Sequence, residues 1–232
     1  MYALKLKLYQ QTACYKKPFA FKVSETYPLP PYSTVKGLFH NLLEATTYIP
    51  MKISIQGTYD TLLNDYQTHY FFKKNKTNEF AIITDGLGIN RDLKDITTMP
   101  IYMHLLYDVN LIIHVYAEEP ILKRIKKQIE GGTNQHLSLG RWEDLVRVDE
   151  CELVELQSCD EEPILKYNAY IPIQYLEDEN YFPYKLNWKY EIINGVRMWE
   201  KIHVGYVQRG TVLSEYEDFF IDSNGDLVFF NE

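Results

Sequence analysis

Three prolines fall within the four residues Pro28-Leu29-Pro30-Pro31, and they constrain what the 232-residue chain can fold into more sharply than any other run. Proline has no backbone N–H to donate and forces the residue before it into extended backbone, so helix is excluded there. The elements on either side must be separate. Upstream, Leu4, Leu6 and Leu8 alternate with Lys5 and Lys7, the period of two that turns one face of a strand to the core. Phe19, Phe21 and Val23 alternate in the same way against Ala20 and Lys22. Downstream, Ser33 or Thr34 can cap a helix whose apolar positions Val35, Leu38, Phe39, Leu42 and Leu43 recur at helical spacing, and Pro50 ends that unit.

Met51, Ile53 and Ile55 then predict a strand, and the Tyr- and Lys-rich segment from Tyr59 to Lys76 predicts an irregular or hairpin insertion. Residues 101 to 116 are apolar and β-branched around Asp108-Val109-Asn110, which fits a strand pair or one bent strand. A helix from about Glu118 to Glu130 has Pro120 in its first turn, acidic residues at its start and Gly131-Gly132 at its end. Short β-runs follow at Leu145 to Val148, Leu153 to Leu156 and Tyr167 to Ile173, with a terminal hairpin across Asn224-Gly225. Strand-helix-strand twice over is the pattern of a ferredoxin-like domain. The fold expected is α+β, with a ferredoxin-like, RNA-recognition-type domain at 1–148 and a smaller, acidic, β-rich domain at 149–232.

Hydrophobic residues make up 46% of the chain and charged residues 24%, the balance of a folded protein. The N-terminus lacks the apolar core of a signal peptide, and the longest apolar run is broken by Asp108 and Asn110. A cytoplasmic protein with no membrane association is expected. Cys14, Cys151 and Cys159 form no Cys-x-x-Cys pair, so reduced thiols are expected instead of a disulfide framework or zinc site. The net charge of -8 speaks at first against a nucleic-acid ligand, but the charge is unevenly placed. Residues 1–80 hold 10 basic and 5 acidic side chains, and residues 149–232 hold 6 and 18. Two surfaces with different partners fit this division, as does a merely solubilising acidic face.

Several motifs have better local explanations than catalytic ones. Asp85-Gly86-Leu87-Gly88 has Arg91 where a phosphate loop needs its third glycine, so a turn is expected. Asp222-Ser223-Asn224-Gly225-Asp226 fits a hairpin better than a calcium loop. The six histidines make no ligand pair, so neither a metal nor another cofactor is expected, and no nucleophile motif is present. Two segments stand out. In Tyr27 to Leu38 a rigid turn precedes a helix N-terminus where free N–H groups, two hydroxyls and Lys36 can hold phosphate; the alternative is an ordinary loop with a Ser cap. In Gly131 to Leu145, Arg141 can neutralise phosphate while Trp142 stacks on a base. The alternative there is a loop pinned by Arg141 to Glu143 or Asp144, with Trp142 in the core.

Those two segments resemble the Cas family-five proteins of type I CRISPR systems, members of the repeat-associated RNA-binding (RAMP) superfamily. The family pattern Tyr-Pro-x-Pro-Pro-x-Ser-Thr-x-x-Gly-Leu is matched by Tyr27 to Leu38, and Leu-Gly-Arg-x-Glu-Asp-Leu by Leu139 to Leu145. The opening strand Tyr2 to Tyr9 and the segment Pro100 to Val115 extend the likeness over most of the chain, closest to type I-B members.

The resemblance implies a thumb hairpin on the first domain and a place in the Cascade complex. There the protein would cap the five-prime handle of the CRISPR RNA, contact the backbone and large subunits, and meet target DNA only through the complex. The residues expected to bind RNA are Ser33, Thr34 and Lys36 on backbone phosphate, Tyr32 and Trp142 stacked on bases, Arg141 and Arg147 adding charge, and Lys73, Lys74 and Lys76 on the thumb. No catalytic residue is assigned. The alternative implied by the type I-C branch is a metal-independent endoribonuclease with a Tyr, Lys and His set. Leu122-Lys123-Arg124-Ile125-Lys126-Lys127 holds no Lys-His pair, and only Lys127 and His136 keep such chemistry open.

Overall fold

The computed structural model describes residues 1–18, 20, 23–72, 96–132, 136–159, 162–176, 179–214 and 219–231, without the side chains at 69–72 and 96–98. In chain order the elements are β1 (Tyr2–Ala13), β2 (Val23–Ser24), α1 (Tyr32–Leu42), β3 (Lys52–Thr58), β4 (Thr61–Phe72), β5 (Ile96–Tyr116), α2 (Glu119–Glu130), β6 (Arg147–Ser158), β7 (Asn168–Pro172), β8 (Tyr181–Ile193), β9 (Val196–Val207), β10 (Phe219–Asp222) and β11 (Leu227–Phe229). The strands join one sheet in the order β11-β10-β6-β1-β5-β3-β7-β9-β8, with β2 and β4 both pairing β5. Among the described residues every pairing is antiparallel except that of β2 with β5. The fold is thus mostly antiparallel sheet with few helices.

One face of the sheet is the apolar one that the alternation predicts. Leu4, Leu6 and Leu8 of β1 meet Ile53 and Ile55 of β3 and Ile113 and Val115 of β5, under Val35, Leu38 and Phe39 of α1 and Leu122 and Ile125 of α2. The Arg124 guanidinium ties the two helices by donating to the Leu43 carbonyl at 2.7 Å. Helix α2 keeps its expected bounds: Pro120 falls in the first turn and Gly131 caps the end.

The opposite face differs from a solvent face. The β10–β11 hairpin and its turn lie over it, and the polar residues of the alternation are buried there too. Lys5, His114 and Ser54 stand in register across β1, β5 and β3. Each finds a partner on the covering hairpin. Lys5 Nζ lies 2.8 Å from Asp222 and 2.7 Å from Asp226. His114 Nε2 lies 2.9 Å from Asp222, and Ser54 Oγ accepts from the Phe229 N–H at 3.0 Å. On the next row, Gln56 donates to the Leu227 carbonyl. The Asp222-to-Asp226 turn is a hairpin turn: Asp222 Oδ1 accepts the N–H groups of Asn224 and Asp226, both at 2.9 Å, and Gly225 has φ +82°.

One expectation is corrected, one alternative is decided and one element is new. Helix α1 starts at Tyr32 with Pro31 as its N-cap, so Ser33 and Thr34 lie in the first turn and neither caps it. The extended ψ of Pro31 (150°) suits that position, and its carbonyl takes the Thr34 and Val35 N–H groups at 2.9 and 3.2 Å. Residues 101–116 belong to one strand that begins at Ile96, with Asp108 at φ +54° interrupting its pairing with β1. The segment after residue 176 holds a long hairpin, β8–β9, turned by Asn194 at φ +51° and Gly195 at φ +74°. Positive φ at both central residues suits the right-handed twist of the two strands. The insertion after Tyr59 forms β4 as far as Phe72; Lys73, Lys74, Lys76, the Asp85 glycine segment, Phe19, Phe21 and Lys22 lie outside the described residues.

Candidate nucleic-acid interface

Two regions carry the described side chains singled out above. The first is the start of α1, where burial decides which groups are available. Tyr32 is fully buried. Its ring meets Trp188 edge-on at 5.5 Å and Tyr170 at 6.0 Å. Its hydroxyl accepts from Asn231 Nδ2 at 2.5 Å. Stacking on a base is therefore replaced by a structural role: Tyr32 locks the helix start to β7, β8 and the last described residue. Burial pushes its hydroxyl pKa far up.

One turn later Lys36 is 4% exposed, and it lies over the Trp188 ring at 2.9 Å from the centroid, away from the helix N-terminus. Its ammonium donates to the Tyr48 hydroxyl at 3.1 Å, and among the described residues no carboxylate pairs with it. Burial, then the nearby Lys189 charge, lower its pKa to about 7, with Glu200 opposing them. Trp188 reaches this position because it is the extra residue of a bulge: Asn187 pairs with Lys201, and Lys189 with Glu200. His40, one turn along α1, is held on both sides by backbone, with Nδ1 2.8 Å from the Lys36 carbonyl and Nε2 accepting the Ile49 N–H at 2.9 Å. These groups line a cavity of about 490 Å³ between α1, the loop carrying Thr46, Thr47 and Tyr48, and the β8–β9 hairpin with Tyr190 and Trp199. Ser33 lines it as well, on the same helix face. The volume is that of a small-ligand pocket.

The second region is the loop from Ser138 to Val146, docked on the end of β1. Gln10 Nε2 donates to the Leu139 and Asp144 carbonyls at 2.9 and 3.0 Å, and Tyr15 donates to Gln10 Oε1 at 2.6 Å. Asp144, fully buried, takes the Cys14 and Arg141 N–H groups on Oδ2, both at 2.9 Å. The Arg141 guanidinium closes on the same carboxylate, with Nη2 2.6 Å from Oδ1, and reaches Glu143 at 2.8 Å. Gly140 has φ +112°, and a Cβ there would stand 2.8 Å from Asp144 Oδ2. Arg141 is consequently the pin of this loop, its charge answered by two carboxylates, and the reading of it as a free phosphate contact gives way. Trp142 at the tip is 85% exposed, so the other half of the pinned-loop alternative, a core Trp142, does not hold. Arg147 is exposed, paired with Asp149 at 2.6 Å and stacked 4.4 Å from the Tyr9 ring centroid. Thr34 is half-buried in the first turn of α1.

Lys127 and His136 are both exposed, and no described contact joins them. Burial raises the Cys14 thiol pKa to about 11, which suits an inert thiol. Among the described residues no group of three or more His, Cys, Asp or Glu side chains can hold a metal ion, and no helix is long and apolar enough to cross a membrane. Reasoning from the sequence missed Tyr48, Trp188, Tyr190 and Trp199. The signal available was the dipeptide Asn194-Gly195, which marks the hairpin that carries three of them.

Among curated proteins no relative matches the chain. Among solved structures, a chain of a CRISPR RNA-guided surveillance complex superposes with a TM-score of 0.54 at 15% identity, covering 90% of this chain and 91% of that one, a likeness of fold. A CRISPR protein from Archaeoglobus fulgidus gives a TM-score of 0.49 at 14% identity over 100% of both chains. The family model for the CRISPR-associated protein (Cas_Cas5) matches residues 3–212, and the chain belongs to that family.

Proposed function

We propose that the protein is a subunit of a type I CRISPR effector complex, of subtype I-B, that binds and caps the five-prime handle of the CRISPR RNA without cutting it. Family membership supports the complex, and Trp142 carries the RNA reading. A tryptophan 85% exposed on a loop pinned by a buried Asp144–Arg141 pair has a fixed base and a free aromatic face, the arrangement that stacks a splayed base. Ser33, Thr34, Lys36 and Arg147 would add phosphate contacts, and Lys73, Lys74 and Lys76 would act from the thumb. The sheet order β6-β1-β5-β3, with α1 and α2 on one face, supports the ferredoxin-like reading, with β6 carrying that unit past residue 148 to Ser158. The acidic residues of 149–232 would face the backbone and large subunits in a cytoplasmic complex that meets target DNA indirectly.

A second reading, the metal-independent endoribonuclease, is favoured by the Lys36–Tyr48 hydrogen bond of 3.1 Å and by a Lys36 pKa of about 7, suited to proton transfer near neutral pH. One experiment separates the two. Purified protein is incubated in EDTA with labelled repeat RNA and with matured handle, across a salt series. Handle binding that weakens with salt, at a log-log slope of about -0.7 per phosphate neutralised, and no cleavage is the expected result. Cleavage lost in Tyr48→Phe establishes the second reading; neither binding nor cleavage refutes both for the isolated chain.

A further inference from the structure

We propose that the cavity between α1 and the β8–β9 hairpin is a single-nucleotide site, taking one splayed-out nucleotide with its base among the Tyr48, Tyr190 and Trp199 rings and its phosphate at Lys36. The proposal deepens the RNA-binding reading and rests on it for the source of the nucleotide. Two independent observations carry it. The first is a charge without an anion: Lys36 is 4% exposed and lines the cavity, its ammonium over the Trp188 ring and donating to the neutral Tyr48 hydroxyl. A buried ammonium without an anion is costly, and a phosphate entering the cavity supplies that anion.

The second is Gly37. It sits inside α1, exposed, beside Lys36 on the cavity wall, and a Cβ there would meet nothing within 4 Å. Glycine is among the poorest helix formers, and among the described residues nothing lies close enough to an added Cβ to require it. A flat stretch of helix beside a buried cation instead leaves room for a ligand backbone to approach. The aromatic lining matches the other half of a nucleotide. Tyr190 and Trp199 pair across the hairpin with centroids 5.1 Å apart, and Arg197 covers the Tyr190 ring from 4.7 Å. Aromatic faces of this kind hold bases of any sequence.

The charge chemistry predicts how binding should vary with pH. Lys36 is faced by Lys189 from β8, Glu200 from β9, Tyr48 from the loop and His40 from its own helix; Lys189 and Glu200 pair with each other at 2.9 Å. With the empty-site pKa near 7, most Lys36 is neutral at pH 8 and must take up a proton when the phosphate binds. Affinity should therefore fall about tenfold between pH 6 and pH 8.

The test uses dinucleoside monophosphates, whose phosphodiester does not titrate over that range. They are added to the full chain while the indole N–H NMR signals of Trp188 and Trp199 and the calorimetric affinity are followed at pH 6, 7 and 8. Both signals should shift in the wild type, with the tenfold pH dependence. Lys36→Met should abolish that dependence, and Gly37→Leu, which introduces a better helix former, should weaken binding at least tenfold while the protein stays folded. Unmoved indole signals at millimolar probe overturn the site, even if the handle RNA binds elsewhere. Tight binding of an acidic peptide in place of the probe overturns it as well. If the probe binds but the handle RNA does not, the site stands and the RNA-handle reading falls.

Discussion

Removing Lys5 should unfold more of this protein than its place in an alternating Leu-Lys strand suggests. Lys5, Asp222 and His114 are wholly buried and Asp226 nearly so, with one lysine serving two carboxylates at 2.8 and 2.7 Å. Breaking a buried ion pair from one side costs about 3 to 5 kcal/mol, because the partner is left charged and dry. Lys5→Met strands two carboxylates and should lie at the upper end, about 5 kcal/mol. Asp222→Asn leaves Lys5 with Asp226 and should lie near the lower end, about 3 kcal/mol. Asp226→Asn, at the wetter edge, should cost least. At about 2 to 4 °C per kcal/mol for a chain of this size, Lys5→Met should melt roughly 10 to 20 °C below wild type.

The pH dependence has a definite sign. Burial works against the Asp222 carboxylate, but His114 and Lys5 outweigh it and depress its pKa, so its contribution is present above about pH 4 and is lost as pH falls below that. Burial depresses the His114 pKa, against the pull of Asp222, so stability also declines as pH falls below about 6.5, where the unfolded chain takes up a proton first. For Lys5, burial lowers the pKa but the two carboxylates outweigh it and raise it, and this contribution is lost only as pH rises through the raised value. Urea denaturation at pH 8, 7, 5, 4 and 3 reads the His114 and Asp222 contributions, while that of Lys5 stays constant over this range. Asp222→Asn should flatten the acid limb. A Lys5→Met variant within about 1 kcal/mol of wild type, or a less stable Asp226→Asn, refutes the reasoning.

Three further outcomes follow from single sites. Gly140→Ala, with φ +112° and a Cβ 2.8 Å from Asp144 Oδ2, should cost about 2 to 3 kcal/mol in urea, and an unchanged midpoint counts against the pinned loop. Trp142→Ala should leave stability within about 0.5 kcal/mol of wild type yet weaken handle RNA by about 1 to 3 kcal/mol in a gel-shift titration. Equal RNA affinity there removes Trp142 from the interface. Tyr32→Phe should cost about 1 to 3 kcal/mol by leaving Asn231 Nδ2 without its acceptor, and a melt identical to wild type dismisses that lock.

What could be read in advance was whatever repeats locally. The Leu4, Leu6 and Leu8 stripe, the proline break and helix α2 with its Pro and Gly limits each depend on neighbours a few residues away, and the chain folds them as their spacing suggests. The covered second face was not legible. A strand with one wet face and a strand buried on both sides by a polar network carry the same alternation, and only the carboxylates of the Asp222 turn distinguish them. The site divided in the same way. Trp142 and Arg141 were recognisable as residues that matter, but their roles turned on Asp144, whose carboxylate is fixed by a backbone N–H from Cys14 far along the chain. Trp188 was hidden because a one-residue bulge, and no motif, aims it at Lys36.

The polar row beneath the terminal hairpin also sets an order of events during synthesis. β1 leaves the ribosome long before the β10–β11 hairpin, but its lysine can be neutralised inside the fold only when the turn from Asp222 to Asp226 has emerged. Tyr32 likewise waits for Asn231. At about 5 to 20 residues per second, that interval is roughly 10 to 45 s, during which the central strands stand without their cover. Such widely separated contacts make for slow closure, and a chain stopped short of the last hairpin would present β1, β3 and β5 with an exposed polar row and an uncovered apolar rim. The β10–β11 hairpin therefore acts as a latch, and the strands beneath it depend on being shielded until it arrives.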